Sequence, residues 1–348
     1  MGASPCVETV GIIGAGRVGS ILGAALAAAG YHLIGASGRS AEARSRIEEL
    51  LPGTPLRRPT DIAGEADLVI FAVPDDALAP MVAHLAESGA FRRSGNDRPA
   101  QVVAHTSGAH GVGVLHPAVA KGARPLALHP AMTFTGRRAD LERLRAGIPF
   151  GVTAPPDVRP LADAVVRRLG GSPEWITEDH RALYHTALAH GANHLVTLVN
   201  DALDRLRDAG VRQPERMLDP LLHAALDNAL RMGDAALTGP VSRGDAGTVS
   251  RHLEVLADTA PDALPAYLAL ARRTADRAIA AGRLGGAEAA PLLDALADAA
   301  HRRADVTGDA LTDAAHRRGD VTDAAADRPG GPPVAKTHRP DHGKEVVA

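Results

Sequence analysis

The sequence predicts an α/β protein: a Rossmann-type, doubly wound parallel sheet followed by an all-α C-terminal domain. Three observations carry this. Short β-rich runs alternate with helical runs over the first 177 residues, the pattern of a parallel sheet covered on both faces. The run Gly14-Ala15-Gly16-Arg17-Val18-Gly19 lies between the first strand and the first helix. After Thr177 the strand-like runs stop and long stretches of helical periodicity take over.

Taken in order, residues 10–13 predict a buried strand, 18–29 a helix closed by Gly30, and 32–36 a second strand. A helix over 41–50 precedes the wholly apolar strand 68–73, and 77–87 is helical. Strands are expected at 102–105, 125–128, 150–153 and 174–177, with an amphipathic helix over 157–169. Thr177 suits a helix N-cap, and Glu178 and Asp179 suit the positive end of the helix that follows. From there to Ala209 the chain has no proline and one glycine, Gly191. A single spine helix about 48 Å long is expected. Further helices are expected over 214–232, 245–257 and 261–281. Residues 294–308 are nearly repeated by 309–323, and a Pro/Gly-rich, charged end follows. The expected division is a dinucleotide-binding domain over 1–177, a substrate and dimerisation domain over 178–303, and a flexible tail over 304–348 outside the enzyme.

Composition excludes several function classes. The chain has 348 residues, enough for two domains, and 45% are hydrophobic. Only 2% are aromatic, so its core must be built from Ala, Leu and Val, and exposed rings for stacking on nucleic-acid bases are not expected. A net charge of −3 supplies no general attraction to phosphate polymers. Cys6 is the only cysteine, which excludes a disulfide framework or a cysteine metal cluster and points to a reducing, cytoplasmic compartment. The apolar stretch from Gly11 to Ala36 is too interrupted by glycine for a membrane span.

The glycine fingerprint reads as a dinucleotide site. Gly14 allows the tight turn, Gly16 lets the backbone approach a diphosphate, and Gly19 lets helix and strand pack closely. The diphosphate then lies on the helix N-terminus, against Ala15, Arg17 and Val18. The second strand ends in Ser37-Gly38-Arg39-Ser40, where a site preferring NAD would carry Asp or Glu. Arg39 can pair with a 2′-phosphate, and Ser37 and Ser40 can donate hydrogen bonds, so NADP(H) is the expected cofactor. The competing reading leaves Arg39 solvated and makes Ser40 a helix cap. Val73 and Pro74 follow an apolar strand and can flank the cofactor, whereas Asp75 or Asp76 reads as a helix cap. His105-Thr106-Ser107-Gly108 and His129-Pro130 also follow strands. Ser107 and His129 can face nicotinamide or substrate, or Ser107 can be a turn residue.

With HTSG, LHPAMTF, YHTALAHGAN and ALTGPVSRGDAGT in order after the fingerprint, the chain resembles a bacterial family of Rossmann-like oxidoreductases whose C-terminal half is an all-α domain of unknown function. That family is similar to ketopantoate reductases, pyrroline-5-carboxylate reductases and 6-phosphogluconate dehydrogenase-like proteins. The resemblance covers about residues 8–290. It implies a C-terminal domain like that of 6-phosphogluconate dehydrogenase and a small 2-oxo acid substrate, with ketopantoate of pantothenate synthesis the first choice. It also implies His185 and Asn193 as the catalytic pair. The ordinary ketopantoate reductases use a lysine on the interdomain helix, but the lysines here are Lys121, Lys336 and Lys344, none in the helical domain.

Read from the residues, reduction of a carbonyl or imine needs a proton donor opposite the hydride. His185, His190, Asn193 and His194 cluster on the expected spine helix. At 100° per residue His190 and Asn193 lie about 60° apart, which favours that pair on geometry. No carboxylate or cysteine joins these histidines at a metal-ligand spacing. Arg243 can clamp a substrate carboxylate with Thr248 assisting, while Asp245 orients Arg243 or caps a helix. The expected activity is NADPH-dependent reduction of a 2-oxo acid by a homodimer joined through the helical domain. The alternatives are an imine reductase of the pyrroline-5-carboxylate type and a non-catalytic NADP(H)-binding sensor.

Overall fold

The computed structural model describes residues 7–92 and 99–303. The second copy of the near-repeat and the expected tail lie outside the described residues. The chain divides into two compact units, Met1–Leu198 and Val199–Ala348.

The first unit is built around one seven-stranded sheet. In chain order its elements are β1 (Thr9–Ile13), α1 (Arg17–Ala28), β2 (His32–Ser37), α2 (Ala41–Leu50), α3 (Pro59–Glu65), β3 (Leu68–Phe71), α4 (Asp75–Glu87) and β4 (Val102–His105). They continue with α5 (His116–Val119), β5 (Arg124–Pro130), α6 (Ala139–Arg145), β6 (Pro149–Thr153), α7 (Arg159–Arg168), β7 (Ser172–Trp175) and α8 (Arg181–Leu188). The sheet order is β2-β1-β3-β4-β5-β6-β7. Every pairing is parallel except β5 with β6.

Alternating side chains feed two cores. Val10, Ile12, Ile70, Ala104 and Leu128 pack with residues of α1, α2 and α7. Ile13, Val69, Phe71 and Val103 pack with α3, α4 and α5 on the other face. β3, of sequence LVIF, is buried at every position, as a central parallel strand requires. β1 lies between β2 and β3, so the chain reverses its direction of travel across the sheet there. Ligands of such sheets bind in the crevice beyond the strand C-termini at this switch point.

The expected spine helix is present as a continuous helical run from 181 to 208, but it is not regular. Residues 178–180 form a 3₁₀ turn, α8 follows, and Ala189–Asn193 is a π-helical turn. Only then does α9 (His194–Asp208) begin. The angular estimate of about 60° between His190 and Asn193 assumed a regular α-helix, and it lapses because a π turn spreads one extra residue around the axis. The helices α3 and α6 were not expected: each is a single seven-residue segment, too short to show periodicity.

The second unit continues with α10 (Pro214–Met232), α11 (Ala246–Thr259), α12 (Leu264–Ala280) and α13 over 286–303. α11, α12 and α13 share a core of Val249, Leu253, Ala275, Ala278, Leu292 and Leu296. α10 buries only Pro214 and leaves Met217, Leu221, Leu226 and Leu230 exposed. Among the described residues no helix is long and apolar enough to cross a membrane.

Candidate active site

The turn after β1 is shaped by the strand beside it. Gly14 has φ +98°, and a Cβ there would lie 2.6 Å from the Ala72 carbonyl oxygen and 2.8 Å from Val73 Cγ1. The turns after β1 and β3 therefore touch at the switch point. Gly14 donates its N–H to Ser37 at 3.2 Å and Ala15 donates to the Ser37 carbonyl at 2.7 Å, which ties in the end of β2 as well. Gly19 abuts Gly14, with a Cβ there 2.2 Å from the Gly14 carbonyl oxygen. A Cβ on Gly16 would meet nothing within 4 Å.

α1 starts at Arg17 with Gly16 as its N-cap, no side-chain cap and no acidic residue in its first turn. Its first N–H groups have no intrahelical acceptors. Open space at Gly16, an uncapped positive helix end and a switch-point crevice fit the diphosphate of a dinucleotide. Ser40 Oγ accepts the Ala43 N–H at 3.1 Å and caps α2, so that hydroxyl serves the fold. Arg39 is exposed and forms no ion pair among the described residues. Pro74 is the N-cap position of α4; Asp75 and Asp76 sit in its first turn without a side-chain cap bond, which corrects their reading as caps.

A second group of polar side chains gathers where β4 and β5 end and β6 begins. Arg181, on the first turn of α8, is 1% exposed. Its guanidinium donates to the carbonyls of His110 at 2.9 Å, Gly151 at 3.0 Å and Ser107 at 2.6 Å. Glu178 accepts the N–H groups of Val112 at 2.7 Å and Gly113 at 2.9 Å. These bonds fix α8 to the loop after β4, and they explain why the first compact unit extends beyond Thr177. The sequence reading gave Glu178 only a helix-dipole role; its amide acceptor role depends on a loop distant in sequence.

The clamped helix presents Tyr184 and His185 to His129. His129 Nδ1 and the Tyr184 hydroxyl are 2.8 Å apart, and the rings meet edge to face at 5.6 Å. His185 stands edge to face with His129 at 6.1 Å. Gly108 makes this approach possible, since a Cβ there would lie 2.5 Å from His185 Cδ2 and 3.1 Å from His129 Nε2. The Arg181 guanidinium sits 5.5 Å from the Tyr184 ring centre. Tyr184 was missed from sequence; its signal was its place beside His185 in YHTALAHGAN.

Burial pushes His129 down to about 4, and the Arg181 charge and His185 add to the effect. His105 is fully buried, bonded through Nε2 to the Gly111 carbonyl at 2.8 Å, and accepts the Ser107 N–H through Nδ1 at 3.2 Å. It too is pushed down to about 4, mainly by burial. Burial raises the Tyr184 hydroxyl above the usual tyrosine range. Both imidazoles are therefore neutral near pH 7. Between pH 6.5 and about 4 the unfolded chain binds more protons at these residues, so stability is present above 6.5 and lost as pH falls through that window. The loss is at most roughly 3 kcal/mol per histidine. Melting temperatures are expected to fall between pH 7 and pH 5, before carboxylates titrate; an unchanged value over that interval would contradict the burial argument.

The remaining expected residues are distributed as follows. Ser107 Oγ accepts the His110 N–H at 3.1 Å, the turn role. His190, in the π turn, pairs with His194 (Nδ1 to Nδ1, 3.3 Å) and not with Asn193. Asn193 closes the same turn and is exposed. In the second unit Asp245 Oδ1 accepts the Thr248 N–H at 3.0 Å and caps α11, and Arg243 is exposed. Among the described residues no three His, Cys, Asp or Glu side chains are placed to hold a metal ion.

Comparison with known proteins agrees with this architecture. Residues 2–130 match the Rossmann-like domain family, and residues 148–274 match a domain of unknown function, DUF2520. No curated protein sequence matches the chain. A crystal structure from Bacteroides fragilis, described as that of an NADP oxidoreductase, is 21% identical, with a TM-score of 0.65, covering 78% of this chain and 98% of that one. A Thermotoga maritima protein is 20% identical with a TM-score of 0.56 and the same coverages. An imine reductase variant from Myxococcus stipitatus, in complex with NAD+, is 17% identical with a TM-score of 0.53, covering 80% and 96%. At these identities the likeness is one of fold: a Rossmann-like domain followed by a helical domain.

Proposed function

We propose that the chain is an NAD(P)-dependent oxidoreductase that reduces a small organic substrate, with a C=N bond as the leading target. The observation that carries this is the pairing, in one unit, of a dinucleotide-shaped switch point with a half-buried Tyr184–His129 dyad. The imine reading takes further support from the imine reductase among the similar folds. A small 2-oxo acid such as ketopantoate is the second reading. The Arg181 charge favours it, because a fixed cation beside Tyr184 stabilises a developing alkoxide and repels an iminium.

The bound nicotinamide would supply the hydride; the chain supplies binding and the proton. The amides of Arg17 and Val18 hold the diphosphate, and Arg39 pairs with the 2′-phosphate of NADP(H). The Tyr184 O–H donates its proton to the substrate nitrogen or oxygen. His129, in the tautomer with hydrogen on Nδ1, donates to the tyrosine oxygen and steadies the phenolate as it forms. His185 stands edge to face with His129 at 6.1 Å and is the alternative proton donor. Neutral His129 suits this relay, since a buried imidazolium would oppose the next proton. Asn193 and His190 contact the substrate.

We further infer that the helical region over 178–303, whose residues 178–198 belong to the first compact unit, is a substrate region of 6-phosphogluconate dehydrogenase type that joins two chains. The apolar residues of α10 left exposed, Leu230 at 79% among them, suit burial against a second copy; sedimentation equilibrium measures this directly. The reaction is tested by following NADPH oxidation against cyclic imines and 2-oxo acids. Turnover of neither class, with NADPH bound, would favour a nucleotide sensor. In the same assay Arg39→Asp is expected to weaken NADPH at least tenfold more than NADH. Equal weakening would remove Arg39 from the 2′-phosphate.

A further inference from the structure

Ten arginines of the first unit form no ion pair among the described residues: Arg145, Arg159, Arg168 and Arg181, which lie elsewhere, and six more. The six are Arg17, Arg39, Arg44, Arg46, Arg137 and Arg138, and all but Arg46 are exposed. Elsewhere in the same unit Arg57, Arg92 and Arg124 each hold a carboxylate. The six belong to three segments distant in sequence: the start of α1, the β2–α2 region and the loop between β5 and α6.

Backbone geometry brings the three segments together. Gly136 has φ +78°, and a Cβ there would lie 3.0 Å from Arg17 Cγ and 3.0 Å from Arg46 Nε. The β5–α6 loop therefore runs against the side chains of α1 and α2 that flank the dinucleotide turn. It is held there by Asp140, whose side chain is fully buried. Asp140 Oδ2 accepts the N–H groups of Thr135 at 2.7 Å and Gly136 at 2.8 Å, and the Thr135 hydroxyl at 3.1 Å. Burial would raise this carboxyl, but the amide donors of Gly136 and Thr135 outweigh it and keep Asp140 charged. Arg137 and Arg138 follow directly on the pinned backbone.

We propose that the Asp140-pinned loop brings Arg137 and Arg138 to the phosphate end of the cofactor, where they join Arg39 and Arg46 on the 2′-phosphate. This rests on the dinucleotide reading above and extends it to a loop outside the fingerprint. An unpaired cluster of guanidiniums against an uncapped helix start binds a dianion more strongly than a hydroxyl. The ligand class is thus a 2′-phosphorylated nicotinamide dinucleotide.

The experiment titrates NADP+ and NAD+ into the full chain and into the double variant Arg137→Gln, Arg138→Gln. NADP+ is expected to bind about tenfold or more weakly to the variant, as lost charged hydrogen bonds to phosphate imply. NAD+ affinity should stay within about twofold, which also reports an intact fold. The NADP+ loss should shrink as salt is raised. Equal weakening of both nucleotides would assign the loop to the diphosphate and overturn the proposal, as would no change in either. If the wild-type chain bound neither nucleotide, the dinucleotide reading itself would fail and this proposal with it.

Discussion

A Gly14→Ala variant is expected to bind either nicotinamide nucleotide about a hundredfold more weakly and to melt at a lower temperature. Two costs combine. The φ of +98° is strained for a residue with a side chain, by about 1 kcal/mol or more. The new methyl would also lie 2.6 Å from the Ala72 carbonyl oxygen, a rigid neighbour. The turns after β1 and β3 must then separate, and the crevice they form changes shape. Gly16→Ala makes the informative contrast. Its φ of −74° suits alanine, and the added carbon meets nothing within 4 Å. The fold should be unaffected, yet the methyl occupies space that the diphosphate needs. Calorimetric titration with parallel melting curves separates the two: Gly14→Ala loses affinity and stability, Gly16→Ala affinity alone. Unchanged affinity in Gly16→Ala would mean that the diphosphate lies elsewhere.

The half of the site proposed to hold the dinucleotide was legible because it is local. A strand, three spaced glycines and a helix lie within one short segment, and Gly14 and Gly19 have steric reasons that the structure shows. All seven strands were expected from apolar runs, and the first four begin within a residue of their expected starts. The half proposed to supply the proton was only partly legible because it is assembled across the sheet. His129 ends β5 and His185 lies on α8; both were singled out, but nothing local says that Tyr184 bonds His129. Arg181 reads in sequence as an ordinary helix-surface cation, yet it is among the largest fully buried side chains. Its acceptors are carbonyls of Ser107, His110 and Gly151, and carbonyls leave no sequence signature. The π turn was hidden for a related reason. Its residues AHGAN have no breaker except Gly191, so periodicity alone continues the helix through them.

With a 2-oxo acid as substrate, Tyr184→Phe is expected to lower kcat by about 10²- to 10³-fold with KM changed little, because the ring still packs and only the proton donor is gone. The same change strands a half-buried imidazole nitrogen, so melting should also reveal a loss of about 1 kcal/mol. The pH profile distinguishes a chemical role from a structural one. His129 is pushed down to about 4, and the Tyr184 hydroxyl lies above its usual range. A relay through these two groups keeps its active protonation states from about pH 5 to 9. The wild-type rate should be flat over that interval and should fall at higher pH as tyrosine ionises. A fall centred between pH 6 and 7 would transfer the acid role to another histidine. Substrate class enters through the size of the effect. An iminium that arrives protonated does not need the tyrosine proton, so Tyr184→Phe should cost it far less than it costs a 2-oxo acid, whose oxygen must be protonated as the hydride arrives. The ratio of the two losses, measured on one variant, separates C=N from C=O reduction without requiring the natural substrate. It also tests the weight given to Arg181: if that charge governs the site, the iminium should turn over more slowly than the oxo acid even in the wild-type protein.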